Sequence, residues 1–192
     1  VRNGIPVAAF PFRRTKSDVL VFVGRMDPEK GVVEAIDVAQ RAGLPLQIAA
    51  RMHGAAEEEF FAEQVRPRLS SSIEYVGELG HENKAALLGG AEALLFPIDW
   101  EEPFGLVLAE AAACGTPVVA TRRGSVPELV EDGATGFVVD SPAEMPAAIA
   151  RLGELDRSAI RASAEERFAP ARMMGAYVDA YELLLEERIG PR

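Results

Sequence analysis

From Asp18 onward, short runs of β-branched and other apolar residues alternate with longer stretches whose apolar positions recur at helical spacing. Val19-Leu20-Val21-Phe22-Val23 is an unbroken apolar run stopped by Gly24, the pattern of a strand covered on both faces. Similar runs at Leu46–Ala50, Ile73–Val76, Ala93–Phe96, Val118–Ala120 and Gly136–Val139 predict five more strands. Between them the spacing predicts helices over Gly31–Ala42, Ala56–Val65, Glu82–Leu88, Gly105–Ala113 and Val126–Val130. In the first of these Val32, Ala35, Ile36 and Ala39 form the inner face, and Gly43-Leu44-Pro45 ends it. Alternation of this kind predicts βαβ units and an α/β fold: a doubly wound, mostly parallel sheet covered by helices.

After Asp140 the strand pattern stops. Ser141 as N-cap, with Pro142 at the first helical position and Glu144 in the first turn, predicts a helix reaching about Leu152. Two more helices are expected over Arg157–Arg167 and Ala171–Arg188. The last carries Met173, Met174, Tyr177, Val178, Tyr181, Leu184 and Leu185, an apolar stripe that needs a surface to cover it, in this domain or another. The reading is a lead-in segment over 1–17, an α/β domain over 18–152 and a helical tail over 153–192. The chain begins with Val1 in what reads as the middle of a loop, so it is expected to be part of a longer protein.

Composition narrows the function classes. Of 192 residues, 48% are hydrophobic and 26% charged, the profile of an ordinary folded domain. Lys and Arg total 20 against 30 Asp and Glu, and a formal net charge of −10 repels polyanions, so nucleic acid is a poor partner. One cysteine, Cys114, and two distant histidines, His53 and His81, exclude a disulfide framework and argue against a Cys/His zinc site. Cys114 reads as a small buried hydrophobe. No apolar run is long enough for a transmembrane helix and the start lacks a signal-peptide pattern, which sets the expected location in the cytoplasm.

Ligands of open α/β sheets bind beyond the carboxyl ends of the strands, which directs attention to two loops. Gly24-Arg25-Met26-Asp27-Pro28-Glu29-Lys30-Gly31 sets two cations, Arg25 and Lys30, between a strand end and a helix start, where free N–H groups also favour an anion such as a diphosphate. The competing reading makes them solvated charges paired with Asp27 and Glu29. The second loop, Pro97 to Gly105, leads into Leu106-Val107-Leu108-Ala109-Glu110-Ala111-Ala112-Ala113. Glu110 is the one polar side chain of that helix and needs donors or a cation. Ligand hydroxyls would serve; an internal ion pair with Arg122 or Arg123 would serve as well. Glu102, eight residues earlier, sits in the loop just before the helix, so two carboxylates flank a helix start where Gly105 allows close approach. A phosphate flanked by hydroxylated rings, as in a nucleotide sugar, has the matching shape.

Val23-Gly24-Arg25 through Lys30-Gly31, Glu102-Pro103-Phe104-Gly105-Leu106 through Glu110, Gly115-Thr116-Pro117-Val118-Val119-Ala120 and Pro127 through Val139 resemble, in order and spacing, one family. It is the retaining group 1 (family 4) glycosyltransferases, in their C-terminal nucleotide-sugar-binding half, a Rossmann-like half of the GT-B fold. The resemblance runs from about Asn3 to Val139, with weaker support in the tail. It implies that Arg25 and Lys30 hold the donor diphosphate, that Glu102 binds donor-sugar hydroxyls and that Glu110 binds the ribose. It also implies that the backbone N–H groups of Phe104, Gly105 and Leu106 contact sugar and phosphate, with Gly24 in the same wall. Arg25, Lys30 and Glu102 are the expected catalytic set. Neither a metal nor a separate cofactor is expected: the nucleotide diphosphate sugar, UDP- or GDP-linked, is the substrate. The acceptor is expected to bind a missing N-terminal domain, leaving this piece inactive alone. A nucleotide-sugar epimerase or hydrolase of the same fold, or a non-catalytic binding domain, remains as the alternative. Two departures stand out: Gly124-Ser125 replaces a glycine pair common in relatives, and Ala50-Arg51-Met52-His53-Gly54 replaces a Gly-x-Gly loop, so that Arg51 and His53 become candidate ligand contacts. Trp100 reads as a loop anchor or a cover over the crevice, and Glu101 as a solvated neighbour.

Overall fold

The computed structural model describes residues 1–189. Six strands, β1 (Leu20–Arg25), β2 (Leu46–Arg51), β3 (Ile73–Gly77), β4 (Ala93–Phe96), β5 (Val118–Thr121) and β6 (Gly136–Val139), form one sheet in the order β3-β2-β1-β4-β5-β6. Every pairing is parallel. Each strand falls within two residues of its expected position, because a strand covered on both faces is written as a plain apolar run.

The helices are α1 (Val32–Ala42), α2 (Ala55–Phe60), α3 (His81–Gly90), α4 (Leu106–Ala113), α5 (Val126–Leu129), α6 (Met145–Ile149), α7 (Arg157–Arg167) and α8 (Pro170–Ile189). One face of the sheet packs on α1, α6 and the segment after α2, through Val32, Ile36, Phe61, Val65, Met145 and Ile149. The other packs on α3, α4, α5 and α7, through Leu88, Leu108, Ala111, Val126, Ile160 and Phe168. Ile5, Val7 and Phe10 of the opening segment are buried in that second core, and the Ile5 N–H donates to the Phe168 carbonyl at 2.9 Å.

Two expected helices are broken where the backbone runs out of donors. The stretch predicted as Ala56–Val65 is α2 followed by a wide π turn over Phe61–Val65, and beyond it a 3₁₀ turn over Arg66–Arg68 contains Pro67. The stretch from Ser141 to Leu152 is a 3₁₀ turn over Pro142–Glu144, then α6, then another 3₁₀ turn from Leu152, with Pro146 and Gly153 at the breaks. Ser141 does not cap by accepting a backbone N–H: its hydroxyl donates to the Glu144 carboxylate at 2.9 Å.

Arg157, at the first position of α7, holds the edge opposite the carboxyl ends of the strands. Its guanidinium donates to the carbonyls of Arg13, Gly89 and Ala91 and to the Thr116 hydroxyl, at 2.9–3.3 Å. Burial pulls its pKa below the ordinary arginine value. In α8, Met173 accepts the Gly4 N–H at its sulfur (3.1 Å), whereas Met174, Tyr177, Val178, Tyr181, Leu184 and Leu185 are exposed. That part of the expected apolar stripe has no cover among the described residues. Residues 190–192 of the expected tail lie outside the described residues.

Candidate functional site

The chain leaves β1 toward β2 and β3 on one side and returns through β4 toward β5 and β6 on the other. Above the carboxyl ends of β1 and β4, at that divergence, lies a cleft of about 450 Å³. Gly24, Arg25, Lys30, Glu102, Gly105, Leu106 and Glu110 all line it, so the sequence candidates from two separate loops share one cavity. Phe104 is the exception. Its ring packs edge-on against Phe168 at 6.4 Å between centroids, in the core behind the cleft, and its carbonyl accepts the Ser125 hydroxyl at 2.8 Å.

The first loop is shaped by its own sequence. Asp27 accepts the Glu29 N–H at 3.0 Å and caps a 3₁₀ turn over Pro28–Lys30, with Pro28 supplying a fixed φ at its start. Gly31 closes that turn at φ 76° and opens α1; a Cβ there would lie 2.1 Å from the Pro97 oxygen. The close approach brings Lys30 beside the second loop, which the Asp99 N–H to Glu29 carbonyl bond (3.0 Å) also ties down.

The second loop is clasped from behind by the β5–α5 connection. The Ser125 N–H donates to the Glu102 carbonyl (2.9 Å), and the Gly124 N–H donates to the Glu101 carboxylate (2.6 Å). Glu101 is therefore a clasp rather than a merely solvated neighbour. A Cβ on Gly124 would come within 2.4 Å of the Glu102 backbone, which explains a glycine there, while Ser125 gives its hydroxyl to Phe104. Gly105, at φ 75°, caps α4. The Leu108 N–H bonds back to the Gly105 carbonyl (2.9 Å), while the N–H groups of Leu106 and Val107 have no backbone partner among the described residues. Leu106 is 52% exposed, an unusual position for a leucine in a cleft wall.

Three of the cleft's four cations, Arg25, Lys30 and Lys84, are matched with carboxylates. Lys30 Nζ lies 2.8 Å from Glu102 Oε2, and both side chains are largely buried. The expected alternative partner, Glu29, is not the one it takes. Arg25 does pair with Asp27 (3.4 Å) and also lies 3.8 Å from Glu57 of α2. Glu110 pairs at 2.6 Å with Lys84 of α3. Arg122 and Arg123, the partners weighed for Glu110, are instead bound to Asp140 (3.0 Å) and Asp99 (3.1 Å).

Lys84 and Glu78 line the cleft and are charged residues that the sequence pattern did not single out; of the two, Lys84 is paired with a candidate site residue. Its signal is a lysine four residues before buried Leu88 and next to buried Ala85, on the inward face of α3. Arg51 also lines the cleft; His53 does not, and its N–H donates to Glu57 at 2.6 Å. His81 is exposed at the start of α3, edge-on to Phe10 at 5.1 Å. With Arg25, Lys30, Arg51 and Lys84 facing Glu78, Glu102 and Glu110, the cleft gathers positive charge within a chain of net charge −10.

Residues 8–167 match the family described as "Glycosyl transferases group 1", and the chain belongs to that family. It is 39% identical over 146 residues to a glycogen synthase of Mycobacterium tuberculosis, a match covering 71% of this chain and 34% of the relative. The structure superposes on AviGT4, a glycosyltransferase involved in avilamycin A biosynthesis, with a TM-score of 0.79 and 29% identity over 96% of this chain and 57% of that one. It shares its fold with the Anabaena protein HepE, solved in complex with UDP (TM-score 0.79, 20% identity, 93% of this chain, 56% of that one). The fold is thus the Rossmann-like half of a GT-B glycosyltransferase, and the chain spans about a third of the length of the curated relatives it matches. Among the described residues no helix is long and apolar enough to cross a membrane.

Proposed function

We propose that this chain is the donor-binding domain of a retaining glycosyltransferase that takes a sugar from a nucleotide diphosphate sugar without a metal ion. The supporting observation is the single cleft that collects Arg25, Lys30, Glu102 and Glu110 around the free N–H groups opening α4. Arg25 and Lys30 face the position suited to a diphosphate, where negative charge grows as the bond from the anomeric carbon to the phosphate oxygen breaks and its electron pair stays on the diphosphate. Fixed positive charge and helix-start dipoles stabilise that leaving group. Glu102 Oε1 and Glu110 Oε2 take no hydrogen bond among the described residues, so each carboxylate keeps one acceptor for a hydroxyl. Glu102 meets the sugar and Glu110 the ribose in this arrangement. The acceptor and the remaining catalytic groups come from outside this chain, which alone binds donor and turns nothing over.

The pairs Lys30–Glu102 and Arg25–Asp27 keep the cations ordered before the diphosphate arrives and are exchanged for phosphate contacts on binding. Titration calorimetry of the folded chain with UDP, GDP and ADP in EDTA tests the assignment. Saturable binding to at least one diphosphate is expected, weakened roughly ten- to hundredfold by Lys30→Ala, as for loss of a charge-assisted contact. No heat with any of the three from a folded sample overturns it.

A further inference from the structure

Trp100 is the only tryptophan of the chain, and nothing in the donor site as described gives it a task. Its position is specific. The indole N–H donates to Glu102 Oε2 at 3.2 Å, the same oxygen that receives Lys30 Nζ at 2.8 Å. The Lys30 ammonium meanwhile lies over the indole ring, 4.1 Å from its centroid. One side chain therefore touches both members of the largely buried pair, through two different parts of its ring system. Trp100 is itself half-buried, packed against the core on one side.

We infer that Trp100 is a positioning residue that keeps Glu102 aimed into the cleft when Lys30 leaves it for a diphosphate. The inference rests on the donor-binding role of the cleft. While the cleft holds no anion, Glu102 is fixed by two donors. Without the indole, a carboxylate whose Lys30 is drawn away by a diphosphate would be left with no partner but water, and it would lose the orientation that a sugar hydroxyl needs. The indole N–H remains, holds Oε2, and leaves Oε1 for the sugar. The ring face gives up Lys30 because a contact between a cation and a phosphate anion is stronger than one between a cation and a neutral ring. In effect Trp100 makes the sugar-binding acid independent of the cation that the leaving group recruits.

The test is the ratio by which a nucleotide sugar binds more tightly than its parent diphosphate, measured by calorimetry on the chain with UDP, GDP and ADP and their glucose esters. Trp100→Phe keeps an aromatic ring for Lys30 and removes the N–H. That ratio should fall about fivefold or more, as for loss of a hydrogen bond to a charged group, while binding of the diphosphate changes less. Glu102→Gln should lower the ratio too, and the double variant should fall no further than Glu102→Gln alone, since both act through one carboxylate. Additive losses, or equal losses for diphosphate and ester, identify Trp100 as a fold anchor and overturn the inference, while the donor-site assignment stands. If no diphosphate binds, both fall. If no ester binds more tightly than its parent, the positioning role falls alone. Should Trp100→Phe fail to fold, the emission of the unmodified chain decides. It should change on saturation with a diphosphate and stay constant with the corresponding nucleoside; constant emission during binding seen by calorimetry overturns the inference.

Discussion

Replacing Glu110 with Gln separates a ligand-binding role from a structural one. The side chain is 12% exposed and its Oε1 lies 2.6 Å from Lys84 Nζ, so the carboxylate serves the apo fold through this pair whatever else it does. The amide keeps the shape and an acceptor toward Lys84 but gives up the charge. Lys84 is 25% exposed and retains access to water, so the loss to stability is well below that of breaking a fully buried pair: about 1–2 kcal/mol. For a domain of this size that lowers the unfolding midpoint by roughly 2–8 °C. The ligand effect is separate. A ribose hydroxyl donating to a carboxylate gives about 1.5–3 kcal/mol, and to a neutral oxygen about 0.5–1.5, so the nucleotide dissociation constant should rise roughly five- to tenfold. Thermal unfolding with and without nucleotide, together with calorimetry, measures both. Lys84→Met gives the converse control, because it strands the acid and should cost more stability than Glu110→Gln. A Glu110→Gln chain that is destabilised yet binds nucleotide as tightly as before would refute the ribose role and leave Glu110 as the fold's half of an ion pair.

Two further outcomes follow from the backbone and the core. Gly31→Ala combines a left-handed residue with a Cβ 2.1 Å from the Pro97 oxygen, so it should cost roughly 2–5 kcal/mol and lower the unfolding midpoint by about 4–20 °C, read by circular dichroism. Cys114 is fully buried, and burial pushes its thiol from the ordinary 9.0 up to about 12. It should resist thiol reagents at pH 8 in the folded chain and react on unfolding. The folded value lies above the unfolded one, so the associated stability is complete below pH 9 and declines as pH rises from there toward 12, by about 1.4 kcal/mol per unit. Denaturant titrations at pH 8 and pH 10 should differ by about 1.4 kcal/mol from this thiol in the native sequence and lose that difference in Cys114→Ser.

Much of this architecture was legible from local pattern. The apolar runs place all six strands, and Gly24 at the end of β1 and the Gly105 turn mark where a ligand can approach. Glu110 could be nominated because its charge has no local partner in an apolar helix, Glu102 because it precedes that helix start, and Arg25 and Lys30 because they sit between a strand end and a helix start. Their partners were not legible. Lys30 meets Glu102 across 72 residues and Lys84 meets Glu110 across 26, pairings set by how β1, α3 and α4 converge rather than by spacing within one element. Pro146 was written in the sequence inside a stretch read as one helix, whereas the expected Ala56–Val65 helix stops short of Pro67 and its π turn from Phe61 leaves no mark in the apolar spacing. Phe104 illustrates a different limit: the sequence marks the turn it belongs to and does not tell that its ring faces Phe168.

The Arg157 knot sets a schedule for synthesis. Its carbonyl partner at Arg13 lies 144 residues upstream. At about 5–20 residues per second, the opening segment therefore waits roughly 7–30 s for this guanidinium to be made, and longer for it to clear the ribosome exit tunnel. Until then Ile5, Val7 and Phe10 have no finished core to enter, and the nascent chain carries those side chains in the open. A chaperone that binds short apolar stretches would find its natural window in that interval.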